Sequence, residues 1–109
     1  MIQVNVFKDS HGRYCGIELS GHAGFGAYGQ DIICASVSAL TLNMANSVEA
    51  FTDDGFDGEM EEETGRFSFH FTSEISRESQ ILMDSLVLGL KNIRDSYGKQ
   101  YIKIRFEEV

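Results

Sequence analysis

Two residues in the first third of the chain, His22 and Cys34, could carry out nucleophilic chemistry together. His22 stands in a loop punctuated by Gly21, Gly24, Gly26 and Gly29, too rich in glycine for regular structure. Asp31 follows, and Ile32, Ile33, Cys34 and Ala35 then open an apolar run. An aspartate at that point reads as a helix N-cap, which places Cys34 in the first turn. Unpaired amides and the positive end of the helix dipole favour an anion there, so the thiol is expected to ionise readily. A thiolate attacks carbonyl carbon, and an imidazole can take the thiol proton and later pass it to a leaving amine. The first-turn amides are also candidates to receive the oxyanion of a tetrahedral intermediate. Asp31 could cap the helix or orient His22, and Ser38, one turn beyond Cys34, could donate to the sulfur or to substrate. Plainer roles compete with these: a cysteine on an apolar helix is commonly a packing residue, and a helical serine often bonds back to its own backbone.

The elements that must position these groups follow from periodicity. Ile2, Val4 and Val6 alternate with Gln3, Asn5 and Phe7, and after a turn at residues 8–12 the alternation resumes over Tyr14 to Leu19. These read as two strands of a hairpin, with Cys15, Ile17 and Leu19 facing the core. Asp31 to about Thr52 reads as a helix with apolar residues around most of its circumference, which calls for cover on more than one side. A second helix or another copy of the chain must supply that cover. Phe56 to Glu61 and Arg66 to Thr72 form a second hairpin about residues 63–65, with Phe67, Phe69 and Phe71 on the core face and Ser68 and His70 opposite. Ser73 or Ser76 caps a second helix that runs to about Tyr97 and stops at Gly98. Tyr101 to Phe106 is a last strand. The expected fold is a single α+β domain over residues 1–109, ordered ββαββαβ, with a mixed or antiparallel sheet carrying two helices.

Composition narrows the functional classes. The net charge is −8, and seven of the seventeen acids (Asp53, Asp54, Asp57, Glu59, Glu61, Glu62 and Glu63) fall within eleven residues. That balance opposes direct nucleic-acid binding, which needs a basic surface, and suits a basic partner. The run could equally be a solvated hairpin that aids solubility. Two cysteines and an opening strand at Met1–Val4, with no secretory pattern, predict reduced thiols and a cytoplasmic location. No run of about twenty apolar residues exists to cross a membrane. The spacings of Cys15, Cys34, His11 and His22 match no zinc pattern, and neither a metal nor a cofactor is expected.

The two blocks Gly21-His22-Ala23-Gly24 and Gly29-Gln30-Asp31-Ile32-Ile33-Cys34-Ala35-Ser36-Val37-Ser38 resemble the ribosomal-processing cysteine protease family, also called Prp. Chain length and element order fit that family throughout, and Ser36, where alanine is common, is a small departure. The resemblance implies a cysteine endopeptidase that removes a short N-terminal extension from a basic large-subunit ribosomal protein, the one numbered twenty-seven. By position Cys34 matches the nucleophile and His22 the base, while Asp31 and Ser38 match polar motif positions. Gly21, Gly24 and Gly29 would belong to a substrate-binding loop, and a homodimer is implied. Four glycines around His22 lead to the expectation that loop ordering, completed by substrate, positions the base. Two other classes stay open: a non-catalytic acidic module that binds a basic ribosomal protein, and a thiol redox sensor centred on Cys34.

Overall fold

The computed structural model describes residues 1–27 and 30–109. The elements are β1 (Ile2–Lys8), β2 (Tyr14–Ser20), α1 (Ile32–Phe51), β3 (Phe56–Glu61), β4 (Arg66–Phe71), α2 (Arg77–Tyr97) and β5 (Ile102–Glu108), the ββαββαβ order read from the sequence. The strands form one mixed sheet in the order β3-β4-β2-β1-β5. β5 runs parallel to β1, and the other neighbours are antiparallel.

The alternating apolar residues of the strands and the apolar stripes of both helices meet in a single core. Val4, Val6, Ile17, Phe69 and Ile102 from the sheet, Ile33 and Val48 from α1, and Met83 and Leu90 from α2 are almost wholly removed from water. On the opposite face of the sheet, away from the helices, His70 meets Glu18 at 2.7 Å and packs against the Phe7 ring. α1 does receive cover from two sides, the sheet and α2. The two helices approach closely where Gly89 lies against Leu40, since a side chain at Gly89 would collide with the Leu40 methyls. Leu42 of α1 and Ile81 and Leu88 of α2 remain exposed.

One core assignment is corrected by a bulge. Lys8 pairs with Tyr14 and Phe7 with Gly16, so Cys15 is the extra residue on β2 and is only half-buried. The bulge re-aims the strand and sends Tyr14, not Cys15, into the core. There the Tyr14 hydroxyl donates to Asp84 of α2 at 2.6 Å. Burial, reinforced by that carboxylate, pushes the phenol far above its usual range.

α2 starts at Ser76, which accepts from the Ser79 amide, and Asp54 pins that cap to the exit of α1. One Asp54 oxygen accepts from the Ser76 amide at 3.0 Å, from the Ser76 hydroxyl at 2.6 Å and from the hydroxyl of fully buried Ser79. Partial burial alone would raise the Asp54 pKa, but these donors outweigh it and hold the carboxyl below its usual value. Asp54→Ala should therefore cost about 2 kcal/mol, from a lost cap contact and a stranded buried hydroxyl. A depressed folded pKa means that the stabilisation is present at and above the ordinary carboxylate range. It fades as pH falls through the folded value. Denaturant melts of wild type and variant should thus differ at neutral pH, and the difference should shrink once pH falls below the ordinary carboxylate range.

Candidate active site

The site lies where the loop after β2 passes the tip of the β3–β4 hairpin and the start of α1. Leu19 pairs with Phe67, and carrying that antiparallel register two residues further sets Gly21 beside Gly65. The Gly21 amide donates to the Thr64 carbonyl at 3.0 Å. Both glycines are required. Gly21 has φ +85° with its α-carbon against the Met1 carbonyl, and Gly65 has φ +66° with its α-carbon against the Gly21 carbonyl and the His22 ring. A Cβ at either position would have no room, and an L-residue would be strained there.

This contact holds the imidazole. His22 Nε2 lies 2.8 Å from the Glu63 carbonyl oxygen, which can only accept, so Nε2 carries the proton. Nδ1 is left to present its lone pair towards Cys34 Sγ, 4.0 Å away, within hydrogen-bonding reach of a sulfur. A half-buried Cys34 also receives the Ala23 amide at 3.2 Å. The His22 ring is thus seated against the hairpin tip, and backbone groups of Gly21, Ala23 and Phe25 are tied to their surroundings.

Asp31 resolves as a cap. One carboxylate oxygen accepts from the Ile33 and Cys34 amides, each at 3.0 Å, and the other accepts from the Phe25 amide at 3.0 Å. The Ala35 amide goes to the Asp31 carbonyl at 3.0 Å. Burial pushes the Asp31 pKa up, yet the amides of Cys34, Phe25 and Ile33 outweigh it, and the carboxyl sits below its usual value. Asp31 is thus engaged as the helix cap, and the His22 ring meets the Glu63 carbonyl. Of the first-turn amides expected to receive an oxyanion, those of Ile33, Cys34 and Ala35 are already bonded to Asp31.

The thiol also differs from expectation. Burial pushes the Cys34 pKa up, and the nearby Asp31 charge adds to that against the opposing pull of the Ala23 amide. The helix N-terminus is not a bare positive end, because it already holds the Asp31 carboxylate. Cys34 is thus held as a thiol at neutral pH rather than stored as an anion.

Around the pair lies a cleft of about 470 Å³, in the range of small-ligand and peptide sites. Its walls are apolar, from Leu19, Val37, Leu42, Met60 and Phe67, with Glu61 and Glu62 beside them. Gly21, Gly24 and Ser38 line it too; the Ser38 side chain is exposed. Gly29 lies outside the described residues. Sequence patterns missed Glu63, Gly65 and Met60 as site residues. The glycine at the hairpin turn was a signal, but only strand order brings that turn to His22.

Alkylation of Cys34 by iodoacetamide, followed by peptide mass mapping to separate it from Cys15, should accelerate with pH and still be climbing at about pH 9, the ordinary thiol value. Asp31→Asn removes a negative charge beside the sulfur. It should lower the thiol pKa and speed alkylation at pH 7.5, although the helix cap is weakened. An orienting partner of His22 would give the opposite result.

Comparison with known proteins places this geometry. The family model described as cysteine protease Prp matches residues 1–103. The ribosomal processing cysteine protease Prp of Bacillus subtilis is 30% identical over 107 residues, covering 89% of this chain and 90% of that protein. Its Staphylococcus aureus counterpart is 26% identical over 99 residues, covering 91% and 93%. A crystal structure of the essential S. aureus protease, in complex with a covalently linked product peptide, superimposes with a TM-score of 0.92 at 25% identity, covering 98% of this chain and all of that one. With the fold, the chain length and the paired motif blocks in agreement, the chain belongs to the Prp family of ribosomal-processing cysteine proteases.

Proposed function

We propose that Cys34 is the nucleophile and His22 the general base and acid of an endopeptidase. Its substrate is the short N-terminal extension of a large-subunit ribosomal protein, the one numbered twenty-seven. The observation that carries the assignment is the approach of His22 Nδ1 to Cys34 Sγ within the cleft, with the other ring nitrogen bonded to the Glu63 carbonyl. Nδ1 takes the thiol proton as sulfur attacks the scissile carbonyl carbon. The tetrahedral adduct collapses to a thioester when the imidazolium returns that proton to the departing amine. His22 then draws a proton from water, the hydroxide attacks the thioester, and Cys34 leaves as the thiolate that regains the proton. A contact of 4.0 Å shortens as substrate excludes water. Asp31 is a positioning residue, and Ser38 sits where it can bond to bound substrate.

The cleft supports an apolar residue next to the cut, and Glu61 and Glu62 support basic residues flanking it. Paired aromatics before the cut in an otherwise basic segment, as the family resemblance implies, suit both features. A non-catalytic acidic module would need the acids but not the thiol–imidazole pair. We further propose a cytoplasmic homodimer, supported by the exposed Leu42, Ile81 and Leu88 of the two helices. Sedimentation at micromolar concentration tests the dimer, and a monomer would rule it out.

Incubation of the purified chain with the extended ribosomal protein, read by intact mass, should give one cut near the N-terminus. Cys34→Ala should abolish cleavage and keep binding, and His22→Ala should slow cleavage by about 10²- to 10⁴-fold. Raised salt should weaken substrate affinity only in part, since the charge contribution is screened and the apolar one is not. Full cleavage by Cys34→Ala, free of contaminating protease, would falsify the nucleophile assignment.

A further inference from the structure

β3 ends the sheet, and its outer edge is uncovered: every residue from Asp57 to Glu61 is exposed. The Thr72 amide donates to the Gly55 carbonyl at 2.9 Å, across the same antiparallel register that pairs Phe56 with Phe71. Hydrogen-bonded pairs alternate along such a ladder, so Asp57, Glu59 and Glu61 also bond inward to β4. The amides and carbonyls of Phe56, Gly58 and Met60 therefore point outward, a row of backbone donors and acceptors along the free edge. The two faces of β3 differ in chemistry. Phe56 and Met60 stand on the helix-bearing face opposite Phe71 and Phe67, whereas Asp57, Glu59 and Glu61 stand on the open face. The strand leads straight to the site: Met60 and Glu61 line the cleft with Cys34, and Glu63 holds His22.

We infer that β3 is the substrate-binding strand: an extended segment of the substrate, flanking the cut, adds to the sheet as a sixth strand against Phe56–Glu61. Backbone pairing supplies affinity, and alternate side chains supply specificity. Residues beside Asp57, Glu59 and Glu61 are basic, and those between them are apolar, against Phe56, Gly58 and Met60. The recognised chemistry is thus an alternation of apolar and basic residues rather than basic charge as such. A second copy of the chain is disfavoured as the occupant, because pairing β3 with β3 sets like charges against one another. This inference rests on the proteolytic assignment above and adds how the substrate is read.

The test uses quenched peptides that share a core with two phenylalanines before the cut. On either end they carry four residues of alternating leucine and lysine, the same residues as two leucines then two lysines, or alternating leucine and glutamate. Alternating leucine and lysine on one end should raise kcat/KM about tenfold over the blocked sequence, and the end that does so gives the strand polarity. The glutamate series should show no gain. Gly58→Pro removes one outward amide without touching the β4 ladder, a change tolerated on an edge strand, and should return the ratio of extended to core peptide towards one. Equal rates for alternating and blocked extensions, a ratio indifferent to Gly58→Pro, or a Gly58→Pro effect seen in sedimentation instead of the ratio would each overturn the inference. Backbone N-methylation of the peptide tests the same pairing without altering the protein: every second position should be sensitive, and a uniform response refutes the strand. If wild type fails to cut the core, the proteolytic reading fails by itself. Anisotropy titration of Cys34→Ala with the same peptides still tests the strand, which stands only if the alternating lysine peptide binds about tenfold tighter than the blocked one.

Discussion

A helix of twenty residues begins with amides that its own backbone cannot satisfy, and here the Asp31 carboxylate meets two of them while reaching back to a third in the preceding loop. That one group fixes where α1 starts, and so where Cys34 sits. By holding the Phe25 amide it also fixes how the histidine loop returns to the helix. The same charge sets the electrostatics of the sulfur. It fills the helix's anion site with a fixed side chain, so the Cys34 sulfur feels a neighbouring carboxylate rather than a bare dipole. Cap, loop anchor and thiol tuning are one interaction, and other parts of the site must be built around its consequences.

The setting of His22 is the clearest of these. With Asp31 committed, the imidazole is oriented by the Glu63 carbonyl at the turn of the β3–β4 hairpin. This is possible because β4 lies next to β2, and because Gly21 and Gly65 let two backbones approach within van der Waals contact. A peptide carbonyl fixes the tautomer as well as a carboxylate does, but carries no full charge to stabilise an imidazolium. Burial and the Asp31 charge meanwhile keep Cys34 in its thiol form.

Much of this was legible in the sequence. Helix starts, stops and strands follow from caps at Asp31 and Ser76, from Gly98, and from strict alternation in Ile2–Val6 and Phe67–Phe71. His22 and Cys34 could be singled out because their motif is local, and the structure brings them within 4.0 Å. What periodicity could not carry is pairing between distant segments. The bulge that exchanges Cys15 for Tyr14 depends on how β1 meets β2, and the role of Glu63 depends on strand order. The thiol departs from the sequence expectation because the helix N-terminus is occupied by its own cap, Asp31, whose charge adds to burial in raising the Cys34 pKa.

The protonated state of Cys34 bears on durability as well as reactivity. Peroxide oxidises thiolates far faster than thiols, and a cysteine driven to sulfinic acid is lost as a nucleophile. A sulfur whose pKa is raised by burial and by an adjacent carboxylate presents little of the vulnerable form between turnovers. The same burial and charge that raise the Cys34 pKa thus keep the oxidisable thiolate scarce.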